Sequence, residues 1–135
     1  MFHCQMTTHA HAIVEVTDAS LSWGMQLLNG EYSRAFNRRH LRKGPLLTRR
    51  FHSVRIESEA QLASAFRYDA RNPVAAGICL SPLDWSHSSY RAALGLEDDG
   101  GLTAPARVLD LFGPTGKQAV AALRDFVEWP GARTA

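Results

Sequence analysis

The sequence predicts an α+β domain, and three observations predict it. A short β-branched run with partial alternation, His11-Ala12-Ile13-Val14-Glu15-Val16, lies near the N-terminus. Two longer stretches, opening near residues 20 and 58, carry helix signals: a three-to-four-residue apolar period in the first, a capping box in the second. Hydrophobic residues make up 45% and charged residues 21% of the 135 positions, enough apolar content for one folded core and too much for a disordered chain.

Taken in order, a strand is predicted from about Cys4 to Val16. Asp18 and Ser20 offer N-caps to a long helix whose Leu21, Met25, Leu28, Tyr32 and Phe36 recur every three or four residues. That helix is expected to end near His40, before Gly44-Pro45, with Tyr32 and Phe36 on its core stripe. Leu46 to Ile56 reads as extended, one or two strands carrying Arg49, Arg50 and Arg55. Ser58 with Gln61 three residues on makes a capping box for a second helix, which Pro73 should stop near Asn72. Ser81-Pro82 begins a short element holding Trp85, Tyr90 and Leu94. Residues 97–104 (EDDGGLTA) read as a linker after a main domain of residues 1–96, and residues 105–135 as a helical C-terminal extension. Its closing helix, between Pro114 and Trp129, sets Val120, Leu123 and Val127 on one side.

Two cysteines, Cys4 and Cys79, are too few for a disulfide scaffold and read as reduced thiols. No apolar run approaches the roughly eighteen residues of a membrane span, and the N-terminus lacks a signal-peptide pattern, so no membrane partner and a cytoplasmic location are expected.

The formal charge of +2 conceals an uneven distribution. Arg34, Arg38, Arg39, Arg42, Lys43, Arg49, Arg50 and Arg55 fall in one window without an acid, while six acids and four bases follow Gly95. Unbroken like charge repels itself unless a polyanion relieves it, so the window reads as a phosphate-contacting surface; a merely solvated face is the simpler alternative. Trp23, Tyr32, Phe36 and Phe51 interleave with these charges and could stack on unpaired bases.

Two pairs of residues carry chemistry. His9 and His11 alternate within the predicted strand, so both imidazoles face one side and can converge on one ion. Six histidines in 135 positions give roughly 0.3 such pairs by chance, so this motif alone is weak. Tyr68 and Asn72 stand four apart on the predicted second helix and share a face. Tyrosine can serve as a covalent nucleophile once its phenol is activated; alternatively it is a half-buried core aromatic above a helix end.

In combination these features resemble the HUH single-strand DNA transposases. MTTHAHAIVEV is similar to that family's histidine strand, GMQLLNGEYSRAFNRRH to its basic helix, and RRFHSVRIESEAQL to the strand before its tyrosine helix. FRYDARNPVAAGIC is similar to the tyrosine helix itself and DWSHSSYRAALG to the segment after it. The five blocks keep the family's order over most of residues 4–96, and the subgroup they resemble is the REP-associated tyrosine transposases.

The resemblance implies a ferredoxin-like antiparallel sheet with helices on one face. It places Tyr68 as the nucleophile, forming a 5′-phosphotyrosine, and His9, His11 and Asn72 as ligands of a divalent metal. Imidazole pairs suit transition metals and phosphate and amide oxygens suit harder ions; the resemblance favours Mg²⁺ or Mn²⁺. Arg67 and Arg71 would lie near the scissile phosphate and the basic window would grip single-stranded or hairpin DNA, in a monomer or a homodimer. Two departures stand out. A strand and helix expected ahead of the histidine strand are missing, so the domain reads as N-terminally truncated, and a catalytically inactive nucleic-acid-binding remnant is the alternative function. Thr7-Thr8 replace the family's Pro-Asn, and Asp69 takes an apolar position beside Tyr68 from which it need not enter the site.

Overall fold

The computed structural model describes residues 2–17, 20–114 and 116–129. Among the described residues the chain is α+β, with a two-stranded antiparallel sheet and five helices. It divides into two compact units: one runs to Val14 and resumes at Ile56, the other is Glu15–Arg55.

In the first unit the expected single strand is a hairpin: β1 (Phe2–Gln5) pairs antiparallel with β2 (Ala10–Ile13), with Cys4 opposite His11 and Gln5 opposite Ala10. The chain reverses through Met6–His9, where the Met6 N–H donates to the His9 carbonyl at 2.8 Å. The histidine strand therefore follows another strand within this chain. Along its other edge β1 meets residues 87–89: Gln5 N–H donates to the His87 carbonyl at 2.8 Å and Ser89 N–H to the His3 carbonyl at 2.9 Å.

Helix α2 (Glu59–Ala75) covers the hairpin. The Ser58 hydroxyl caps it by accepting from the Gln61 N–H at 3.2 Å, and Gln61 reaches back to the Glu57 N–H at 2.8 Å, one residue short of a reciprocal box. Pro73 does not stop α2; it sits inside the last turn, and the stop is Gly77. Gly77 takes φ 70° while Ile78 N–H donates to the Pro73 carbonyl, a left-handed glycine cap.

Phe66, Ala70 and Pro73 line the buried stripe of α2, and Phe2 meets Phe66 with ring centroids 4.2 Å apart. Beyond a 3-10 turn (Pro82–Asp84), α3 (Tyr90–Ala93) adds Tyr90 and Ala93 to this core. The helices α4 (Ala106–Leu109) and α5 (Lys117–Glu128), expected as an extension, pack against α2 within the same unit through Val108, Leu123 and Val127.

The second unit is α1 (Leu21–Arg39) with an irregular tail. Ser20 occupies the N-cap position, and Asp18 lies outside the described residues. No residue of α1 is buried, so its expected core stripe is not one: Leu28 is 60% and Tyr32 56% exposed. The expected strands between Leu46 and Ile56 are absent among the described residues, the chain there lacking any ladder partner.

Candidate functional site

β2 and α2 bring His9, His11, Tyr68, Asp69 and Asn72 together in the first unit. Alternation before and within β2 sets His9 and His11 on one side, with their Nε2 atoms 3.0 Å apart. The α2 spacing of four does the same for Tyr68 and Asn72: Asn72 Nδ2 lies 2.9 Å from His11 Nε2, and the Tyr68 ring stands edge-on to His11 with centroids 5.6 Å apart. Tyr68 is 56% exposed.

The Asn72 contact constrains the His11 proton. An amide nitrogen only donates, so Asn72 requires a lone pair on His11 Nε2, and the neutral His11 ring then carries its proton on Nδ1. His9 Nε2 crowds the same His11 nitrogen at 3.0 Å, and the one lone pair there cannot take a full hydrogen bond from both His9 and Asn72; a cation among the three would relieve that crowding. On its other side His9 Nδ1 lies 3.1 Å from the Thr8 hydroxyl. Burial and the neighbouring His9 hold the His11 pKa below its ordinary value, which keeps the ring neutral.

On the far side of His11, Asp69 Oδ1 lies 3.7 Å from Nδ1. Asp69 is buried, and burial pushes its carboxyl up to about 6. At 3.7 Å the contact is longer than a hydrogen bond, and burial dominates both pKa values. Sequence reasoning left Asp69 outside the site. Its spacing of three from Asn72, which puts both on one helix face, was the signal available.

Arg67 and Arg71 do not point at Tyr68. Arg67 Nε and Nη2 donate to the carbonyls of Phe126 and Trp129 at 2.7 and 2.6 Å, and Arg71 Nη1 to that of Val127 at 2.9 Å. They satisfy carbonyls at the C-terminal end of α5, which a helix leaves without internal partners. Arg67 is 5% exposed, with its guanidinium over the Phe126 ring.

In the second unit Arg34, Arg38, Arg39, Arg42, Lys43, Arg49, Arg50 and Arg55 are all exposed, and Arg34 pairs with Glu31 one turn away. Phe36 stacks on His40 with centroids 4.3 Å apart and Arg42 lies 5.9 Å above the Phe36 ring.

Among the described residues no group of three or more His, Cys, Asp and Glu is placed to share a metal ion, so a three-ligand site here depends on the Asn72 amide. The donor spacing fits an octahedral ion, since two adjacent ligands at about 2.1 Å from such an ion stand about 3.0 Å apart. Among the described residues no helix is long and apolar enough to cross a membrane. No family model matches the chain, nor does any curated protein or solved structure.

Proposed function

We propose that the chain is a transposase-like domain that nicks and rejoins single-stranded, hairpin-marked DNA through a 5′-phosphotyrosine, with the hairpin and α2 as part of a ferredoxin-like sheet with helices on one face. The observation that carries this reading is the convergence of His9, His11 and Asn72 beside an exposed Tyr68, from two segments about 60 residues apart in sequence.

His9 Nε2, His11 Nε2 and the Asn72 carbonyl oxygen would hold Mg²⁺ or Mn²⁺; a half-turn of the Asn72 amide presents that oxygen where the nitrogen now lies. When bound, such an ion neutralises phosphate charge and orients the phosphorus for in-line attack. Tyr68 attacks the phosphorus through its phenolate, the 3′-oxygen leaves as a hydroxyl after taking a proton, and the phosphotyrosine retains the diester for rejoining. The basic window of the second unit supplies backbone affinity without sequence information.

A hairpin oligonucleotide incubated with the protein and Mn²⁺ should yield a denaturation-resistant adduct that chelator removes. Persistence of the adduct in Tyr68→Phe overturns the assignment. Salt-sensitive DNA binding that yields no adduct and is indifferent to His9→Ala marks the inactive remnant instead.

A further inference from the structure

We propose that Asp69 is a positioning residue of the cation site, holding His11 in the Nδ1–H tautomer with its Nε2 lone pair turned toward His9 and Asn72. The inference rests on the metal-assisted reading above, which assigns His9, His11 and Asn72 but gives Asp69 nothing to do.

Both neighbours of the His11 ring favour the same tautomer. On the Nε2 side, the Asn72 amide nitrogen at 2.9 Å requires a lone pair. On the Nδ1 side, the Asp69 carboxylate at 3.7 Å offers only negative charge and lone pairs, which favour a proton on the nitrogen it faces. Asp69 is 7% exposed, an unusual place for a carboxylate, and the cationic side chains nearest in sequence are turned elsewhere, Arg67 and Arg71 being committed to the end of α5. Its ion-pair contact is with His11.

A neutral imidazole in water prefers the opposite tautomer, so the ring needs an external hold to present Nε2. Ligating histidines almost always direct their second N–H to a carboxylate, carbonyl or water, which fixes ring orientation and makes the ligating nitrogen more basic.

Two measurements test the proposal. Nitrogen-15 NMR of the His11 ring in the wild-type protein, without added metal at neutral pH, should show Nδ1 protonated and Nε2 bare; a protonated Nε2 overturns the proposal and requires no variant. Mn²⁺ titration by calorimetry should then show Asp69→Leu binding 10- to 100-fold more weakly than wild type, with Asp69→Asn, which keeps an acceptor oxygen, losing less. Equal Mn²⁺ affinity in wild type and Asp69→Leu also overturns it. Failure of the underlying reading has a different signature, Mn²⁺ affinity unchanged by His9→Ala.

Discussion

The two long helices, one carrying Tyr68, Asp69 and Asn72 and the other Arg34, Arg38 and Arg39, are held in opposite ways. α2, of 17 residues, buries Phe66, Arg67, Asp69, Ala70 and Pro73, so the rotation that aims Tyr68 and Asn72 is fixed by packing. α1, of 19 residues, buries nothing; its helicity rests on local terms such as the Glu31–Arg34 pair and the favourable Arg38 and Arg39 at its C-terminal end. A metal-assisted phosphoryl transfer requires donors placed within tenths of an ångström, whereas neutralising a flexible polyanion requires only a density of charge. Under the proposed function, a packed helix and a charged one would answer those two demands separately.

The contrast is broken most strongly through the core. Phe66→Ala should cost about 3–5 kcal/mol in denaturant unfolding, since it empties the contact between Phe2 and Tyr90. A loss under about 1 kcal/mol would show that α2 is not held by that stripe. Arg67→Met should cost about 2–3 kcal/mol by leaving the Phe126 and Trp129 carbonyls without their charged donor, and Arg67→Lys should rescue little, lacking the planar fork.

Asp69 sharpens the comparison through pH. Its carboxyl is raised from 3.8 to about 6 by burial, so the native state holds this proton more tightly than the unfolded chain. The stability it contributes is fully present below about 3.8 and lost as pH rises through about 6, on the order of 2 kcal/mol. His11 acts in the opposite sense: its lowered pKa gives stability that is present above 6.5 and lost as pH falls. Thermal melts between pH 4 and 8 should show Asp69→Asn flattening the acid-side gain; an unchanged profile would mean that the carboxyl titrates normally.

In the second unit the effects are small and electrostatic. Arg39→Gln and Arg42→Gln should each lower the salt slope of single-strand binding by about 0.7, leaving adduct formation at saturating DNA unchanged. Leu28→Ala should change stability by no more than about 0.5 kcal/mol; a larger loss would reveal burial that the helix does not show.

Legibility in the sequence followed the same division. The α2 boundary was readable because Ser58 and Gln61 act within one turn, and the α5 stripe because Leu123 and Val127 keep helical spacing. The hairpin was not, because Met6-Thr7-Thr8 contains none of the Gly, Pro, Asn or Asp that mark a reversal. Pro73 misled because a proline forfeits only its own N–H and can be accommodated in a last turn, leaving Gly77 to set the end. Apolar periodicity in α1 records a stripe but not whether anything covers it. Within the site, His9, His11, Tyr68 and Asn72 were found by spacing, while Asp69, Arg67 and Arg71 take their roles from partners distant in the chain.

Pro73 has a mechanical consequence. In an α-helix the carbonyl four residues before a proline receives no N–H, and here that residue is Asp69. The backbone ladder of α2 is therefore one rung short in the turn that joins Tyr68 and Asp69 to Asn72. A bend at that rung breaks one hydrogen bond fewer than in a proline-free turn, so the packing of Phe66, Ala70 and Pro73 is what keeps the Asn72 amide in line with Tyr68.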